Sequence, residues 1–102
     1  MEESKEIIKG RIGKAPRLSY TKKHQTAICR FELATEVKGV GVTVWRKVVL
    51  VGKLAEHFMA RSKKGMSVFV EGMERLVNFV NEEGRQIEYL EFRGESAAIE
   101  VN

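Results

Sequence analysis

Between Thr26 and Thr35, Cys29, Phe31 and Leu33 fall on one parity and Arg30 and Glu32 on the other. Such a segment is satisfied as an extended strand with one buried and one wet face, because successive side chains leave a strand on opposite sides. Val42 to Val51 imposes the same requirement with a β-branched run that contains the only tryptophan. There Trp45 and Lys47 share one face, whereas Val44, Arg46, Val48 and Leu50 take the other. Lys5 to Ile12 also reads as strand, as does Ser67 to Phe79, which is broken by Gly72. Asn81-Glu82-Glu83-Gly84 reads as a hairpin loop returning through Gln86 to Phe92, with Ala97 to Val101 continuing the last strand. Against this β background Leu54, Ala55, Phe58 and Met59 recur at helical spacing, and Lys63-Lys64-Gly65 supplies a C-terminal stop.

The predicted order is three strands, one short helix, then two long strands. It matches an all-β, five-stranded Greek-key barrel, the OB-fold, with the helix between strands three and four. Periodicity alone also allows another small barrel or an open α+β sheet. Residues 1–102 form a single domain: there is no internal repeat or low-complexity stretch, and the lone proline, Pro16, sits where the chain turns.

Composition narrows the function classes. The N-terminal segment is charged and lacks the apolar stretch, about 7–15 residues long, of a secretory signal, and no membrane-spanning run is present. Cys29 has no partner for a disulfide, which suits a reducing cytoplasm, and its parity makes it a core residue. Residues 1–70 carry 15 Lys and Arg against 6 Glu, and residues 71–102 carry 3 against 8, so a polyanion would sit on the first two-thirds. A solvated basic face is the competing explanation. The chain has no aspartate, two histidines (His24 and His57) and one cysteine, which leaves little for a metal site or nucleophile triad, and it has no phosphate-binding loop motif. Glu82, Glu83, Glu88, Glu91 and Glu95 read as a solvated acidic face. Neither an enzyme nor a cofactor is expected.

Particular residues carry a resemblance. Gly10 to Tyr20 (GRIGKAPRLSY), Phe31 to Thr35 (FELAT), Trp45 to Glu56 (WRKVVLVGKLAE) and Lys64 to Gly72 (KGMSVFVEG) follow one another in the order of the bacterial single-stranded DNA-binding protein family. The match runs over roughly residues 8–93. This resemblance implies an OB-fold that assembles as a homo-oligomer, a tetramer or a dimer, and binds single-stranded DNA with little sequence preference in replication, recombination or repair. It also implies a bacterial cytoplasmic location, nucleoid-associated or mobile-element encoded, and replication or repair proteins as partners.

By the same resemblance Trp45 takes the position of a stacking tryptophan, Lys47 and Arg75 take basic positions, and Phe79 takes that of a second stacking aromatic. Such a set suits a sequence-tolerant grip, in which bases stack on aromatic faces and cations track the phosphates. Tyr20 with Lys22 and Lys23 in a following loop is a further candidate, as are Lys53 and Lys64 beside the helix. Three departures are visible. No aromatic lies in the loop from Glu36 to Gly41, Val51 stands where a stacking phenylalanine is common, and Val77-Asn78 replaces residues that are commonly basic. The chain also stops at Asn102 without the family's flexible, acidic-tipped extension. That ending fits either the DNA-binding part of a longer protein or a short natural form, and the departures suit a short or divergent member or one similar to the primosomal replication protein. The alternative is an OB-fold interaction or primosome-type accessory module with weak DNA or RNA binding.

Overall fold

A computed structural model describes residues 4–37 and 39–100. Six strands and one helix run in the order β1 (Glu6–Ile12), β2 (Arg17–Tyr20), β3 (Ala27–Val37), β4 (Val42–Val51), α1 (Lys53–Arg61), β5 (Ser67–Val80) and β6 (Gln86–Ile99). The sheet order is β1-β5-β6-β4-β3-β2, and β1 also pairs with β3 at Arg11–Ala34 and Ile12–Leu33. That second pairing joins the ends of the sheet, so β1, β5, β6, β4 and β3 form a ring with the OB-fold order. All these pairings are antiparallel except β4 with β6, which runs parallel at Val48–Phe92 and Val49–Arg93.

The structure differs from the sequence expectation at two places. A fourth segment precedes the helix: β2 is only four residues long and pairs along the outer edge of β3. It is too short to show a period, and it follows directly on Pro16, which marks the turn into it. The last strand is also unbroken from Gln86 to Ile99, with no gap after Phe92. The expected end at Val101 lies outside the described residues.

The barrel is filled by the inner parity of each strand: Ile8 and Ile12, Cys29, Phe31 and Leu33, Val48 and Leu50, Val68 and Val70, and Phe92. Helix α1 closes it with Ala55 and Phe58. The Phe58 ring stacks on Phe31 at 4.6 Å between centroids, 17° from parallel. Cys29 is fully buried in this core, and burial pushes its thiol up to about 11. Val44 shares the parity of Val48 and Leu50 but is exposed, because this end of β4 projects beyond the barrel.

Gly72 positions everything that follows. The register between β5 and β6 shifts at Glu71/Gly72, and Gly72 faces Gly94 across the ladder. A Cβ on Gly72 would stand 1.9 Å from the Arg93 carbonyl oxygen and 2.8 Å from its carbon, both backbone atoms that cannot swing away. Beyond this bulge the two strands run on past the seam with β4 and leave the barrel as a two-stranded arm, Leu76–Val80 against Gln86–Leu90, whose side chains are mostly exposed. Asn81 closes its tip: its Oδ1 accepts hydrogen bonds from the Glu83 and Arg85 amides, both at 3.0 Å. Gly72→Ala should therefore destabilise the fold by about 1–3 kcal/mol, the cost of overpacking a tight site. Chemical denaturation would register this as a lower midpoint.

Candidate nucleic-acid interface

The outward parity of the central strands brings the candidate residues together. Pairing sets Glu32 opposite Lys47 and Ala34 opposite Trp45 between β3 and β4. It sets Arg75 opposite Glu91, Val77 opposite Tyr89 and Phe79 opposite Ile87 between β5 and β6. The parallel pairing stops at Val48–Phe92, and beyond it Lys47, Tyr89 and Glu91 line one cleft between the two strands while Trp45, Lys47 and Tyr89 line another. Two rows therefore cross the same outer surface. One is charged (Glu32, Lys47, Glu91, Arg75), and the other is largely apolar and aromatic (Ala34, Trp45, Tyr89, Val77), with Phe79 one step further along the arm.

Trp45 is 56% exposed, as its shared parity with Lys47 predicts. Its ring has room because Ala34 is small and Gly13 has no side chain. A Cβ at Gly13 would lie 2.2 Å from Cζ3 of the indole and 2.7 Å from Cη2. Gly13 is itself held to β3, its amide donating to the Glu32 carbonyl at 3.0 Å. The indole is thus seated on backbone at one edge and open to solvent elsewhere. Phe79 is 47% exposed. Its ring meets Tyr89 edge to face, 6.5 Å between centroids and 88° apart, and the Lys47 Nζ lies 4.8 Å from the Tyr89 centroid.

Tyr89 was not among the residues singled out from sequence. Alternation of Ile87, Tyr89 and Glu91 could have identified its face, but not which strand would lie beside it. Arg17 and Arg30, also missed, form an exposed cross-strand pair at the rim of the same surface. With Lys14 and Lys47 they border a cleft of about 370 Å³ that also reaches Tyr89 and Glu91. These four cations have no ion-pair partner among the described residues.

Other cations are committed elsewhere. Arg46 lies on the inner parity, where its Nη2 is 2.9 Å from Glu74 and 3.5 Å from Glu6 and its guanidinium is 5.5 Å from the Phe92 ring. Lys5 pairs with Glu95 at 2.6 Å, which holds its ammonium above the usual lysine range, and Lys9 pairs with Glu100 at 3.1 Å. Arg75 faces Glu91 at 3.7 Å, so this expected phosphate contact is partly neutralised from within.

The remaining sequence candidates lie apart. Tyr20 ends β2, and it shares parity with Leu18, which packs on the core, while Arg17 faces outward. Tyr20 therefore projects on the opposite side of β2 from the Arg17–Arg30 pair. Lys22 and Lys23 are exposed in the turn after it. Lys53 opens helix α1, and Lys64 is exposed in the turn leading to β5. Glu91 departs most from expectation. The sequence predicts it on a solvated face, yet it is only 6% exposed, because the parallel seam draws its stretch of β6 against β4.

Gly13→Ala should displace the indole while leaving the barrel intact. The expected result is a shifted Trp45 emission maximum with a stability change within about 0.5 kcal/mol, the range of surface substitutions. Fluorescence and a denaturation curve on the same sample would measure both.

The family model described as the single-strand binding protein family matches residues 4–98. The single-stranded DNA-binding protein of Xanthomonas campestris pv. campestris is 34% identical over 88 residues, which is 79% of this chain and 51% of that protein. The chain thus spans about half the length of the curated relative it matches. With the ring of strands expected for an OB-fold and a family match over nearly all of the described residues, the chain belongs to the single-strand binding protein family.

Proposed function

We propose that this chain binds single-stranded DNA without catalysing any reaction, gripping it along the outer surface of β3, β4, β6 and the arm. The observation that carries this reading is the exposed Trp45 ring lining one cleft with Lys47 and Tyr89, with Phe79 against Tyr89, bordered by Arg17, Arg30 and Lys14, which have no ion-pair partner among the described residues. Bases need flat faces that accept any sequence, and the backbone needs cations spaced along its path. Compared with the family pattern the grip is lean: Trp45 and Phe79 act with Tyr89 in place of platforms absent at Val51 and in the Glu36–Gly41 loop. Tyr20, Lys22, Lys23, Lys53 and Lys64 are secondary contacts, reached only if the strand continues round the barrel. The proposed setting is bacterial and cytoplasmic, in replication, recombination or repair.

The chain is also proposed to act as a dimer or tetramer. β1 pairs with β5 from Glu6 to Arg11 but with β3 only at Arg11 and Ile12, which leaves one edge of Glu6–Lys9 unpaired among the described residues. Ile7 and Phe69 are exposed beside it. An unpaired edge flanked by apolar side chains is a ready template for a second copy. Sedimentation equilibrium at micromolar concentration, with and without a long single strand, should show a dimer or tetramer, and a strict monomer would count against this assembly.

A specific observation keeps a second reading in view. Leu76 and Leu90 are opposite one another on the other face of the arm and both are exposed, with Val44 also exposed on the adjoining strand β4. That face suits a protein contact better than a nucleic acid. Titrating Trp45 fluorescence with oligo-dT decides between them. A DNA binder shows quenching that is lost steeply as salt rises, because each neutralised phosphate releases counterions. Trp45→Ala should cost about 1–3 kcal/mol of binding, and Lys47→Ala should lower the salt slope by about 0.7. No response to any oligonucleotide, with oligo-U included to detect an RNA preference, would leave the interaction module as the better account.

A further inference from the structure

The cleft bordered by Lys14, Arg17, Arg30 and Lys47 contains one group that phosphate binding does not explain. Glu91 lines it, and its side chain is more than nine-tenths buried. Its one close partner among the described residues is Arg75 Nη2, 3.7 Å from Oε1, which is longer than a hydrogen bond. Glu91 accepts no hydrogen bond from the described residues and is left to water at the cleft, which a ligand filling the cleft displaces at a cost; set among phosphate-binding cations, it also repels the ligand those cations attract. The cost is offset if the ligand itself brings a donor. The cleft has a size suited to part of a nucleotide, within the usual range of about 300–1,000 Å³ for ligand sites. Tyr89 offers a ring along one wall, Arg17 and Arg30 offer cations at the rim, and Glu91 offers an acceptor in the interior.

Resting on the single-strand reading, we propose that this cleft takes one nucleotide, with its base against Tyr89 and its exocyclic amine donated to the Glu91 carboxylate. The bound strand is thereby read at one position in favour of an amino-bearing base. Cytosine N4 donates to the carboxylate, whereas thymine places the acceptor O4 at that point and can donate only through N3–H, one ring position away, so a base seated for the N4 contact meets the carboxylate with repulsion. Trp45 and Phe79 remain indifferent to base identity, so the preference is confined to this position.

The test compares oligo-dC with oligo-dT of equal length, at mildly alkaline pH where cytosine stays unprotonated, on the wild-type chain and on Glu91→Gln. A glutamine can turn its amide to donate to thymine O4 as readily as its oxygen accepts from cytosine N4. The ratio of dC to dT affinity should therefore fall by roughly fivefold or more in Glu91→Gln, the lower end of what a specific base contact supplies. On the wild-type chain, oligomers of N4,N4-dimethylcytosine, which cannot donate, should bind weaker than oligo-dC by a similar factor. This second arm decides the matter should Glu91→Gln fail to fold. If both oligonucleotides bind, an unchanged ratio in a folded variant, or equal binding of the dimethylated oligomer, overturns the inference and leaves the single-strand reading standing. If neither oligonucleotide binds, both are overturned.

Discussion

The parallel seam between β4 and β6 is the contact on which the rest of the molecule depends. It is short, at Val48–Phe92 and Val49–Arg93, yet it brings the C-terminal strand alongside the middle of the chain. On the inner side it places the Phe92 ring in the core, where Arg46 covers it and reaches Glu6 and Glu74. The same guanidinium thus ties β1, β4 and β5 around the seam. On the outer side the seam brings Trp45 and Lys47 to Tyr89 and Glu91. Parallel pairing between strands so far apart in sequence carries a loop-closure cost that only the buried apolar side chains of the ring repay.

Charge is distributed according to whether a partner lies across the ladder. Lys5, Lys9, Arg46 and Arg75 have carboxylates within reach and serve the fold or are muted by it. Lys14, Arg17, Arg30 and Lys47 border a common cleft without such partners among the described residues. A formal charge of +4 is therefore a poor guide to the interface, since the acidic C-terminal third quenches cations on one side of the molecule and leaves the other side free. Glu91 is the exception: it belongs to the acidic third but is buried on the cationic side.

The arm beyond Gly72 presents two surfaces that a closed barrel could not. Its bend needs two facing glycines, because a side chain at residue 72 would collide with backbone. Once clear of the barrel, the arm has two solvent-facing surfaces: Phe79 and Tyr89 extend the aromatic row on one, and Leu76 and Leu90 form an apolar pair on the other.

Side-chain parity, the helical stripe at Leu54–Met59 and the turn residues are local properties, and they determined which residues of each strand point inward. The burial of Cys29, Phe31 and Leu33 and the exposure of Trp45 with Lys47 were legible for that reason. The family resemblance supplied the fold and the ligand class. What parity cannot convey is which strand lies next to which, because a strand presents the same alternation to any neighbour. Tyr89 and Glu91 look like ordinary residues of a hairpin until the seam sets them against β4. Arg17 looks like loop until β2 pairs with Arg30, and Arg75 looks free until Glu91 faces it. Sequence determined the faces, and tertiary structure decided the neighbours, because a side chain's direction depends on local backbone geometry whereas its surroundings depend on pairings made across most of the chain.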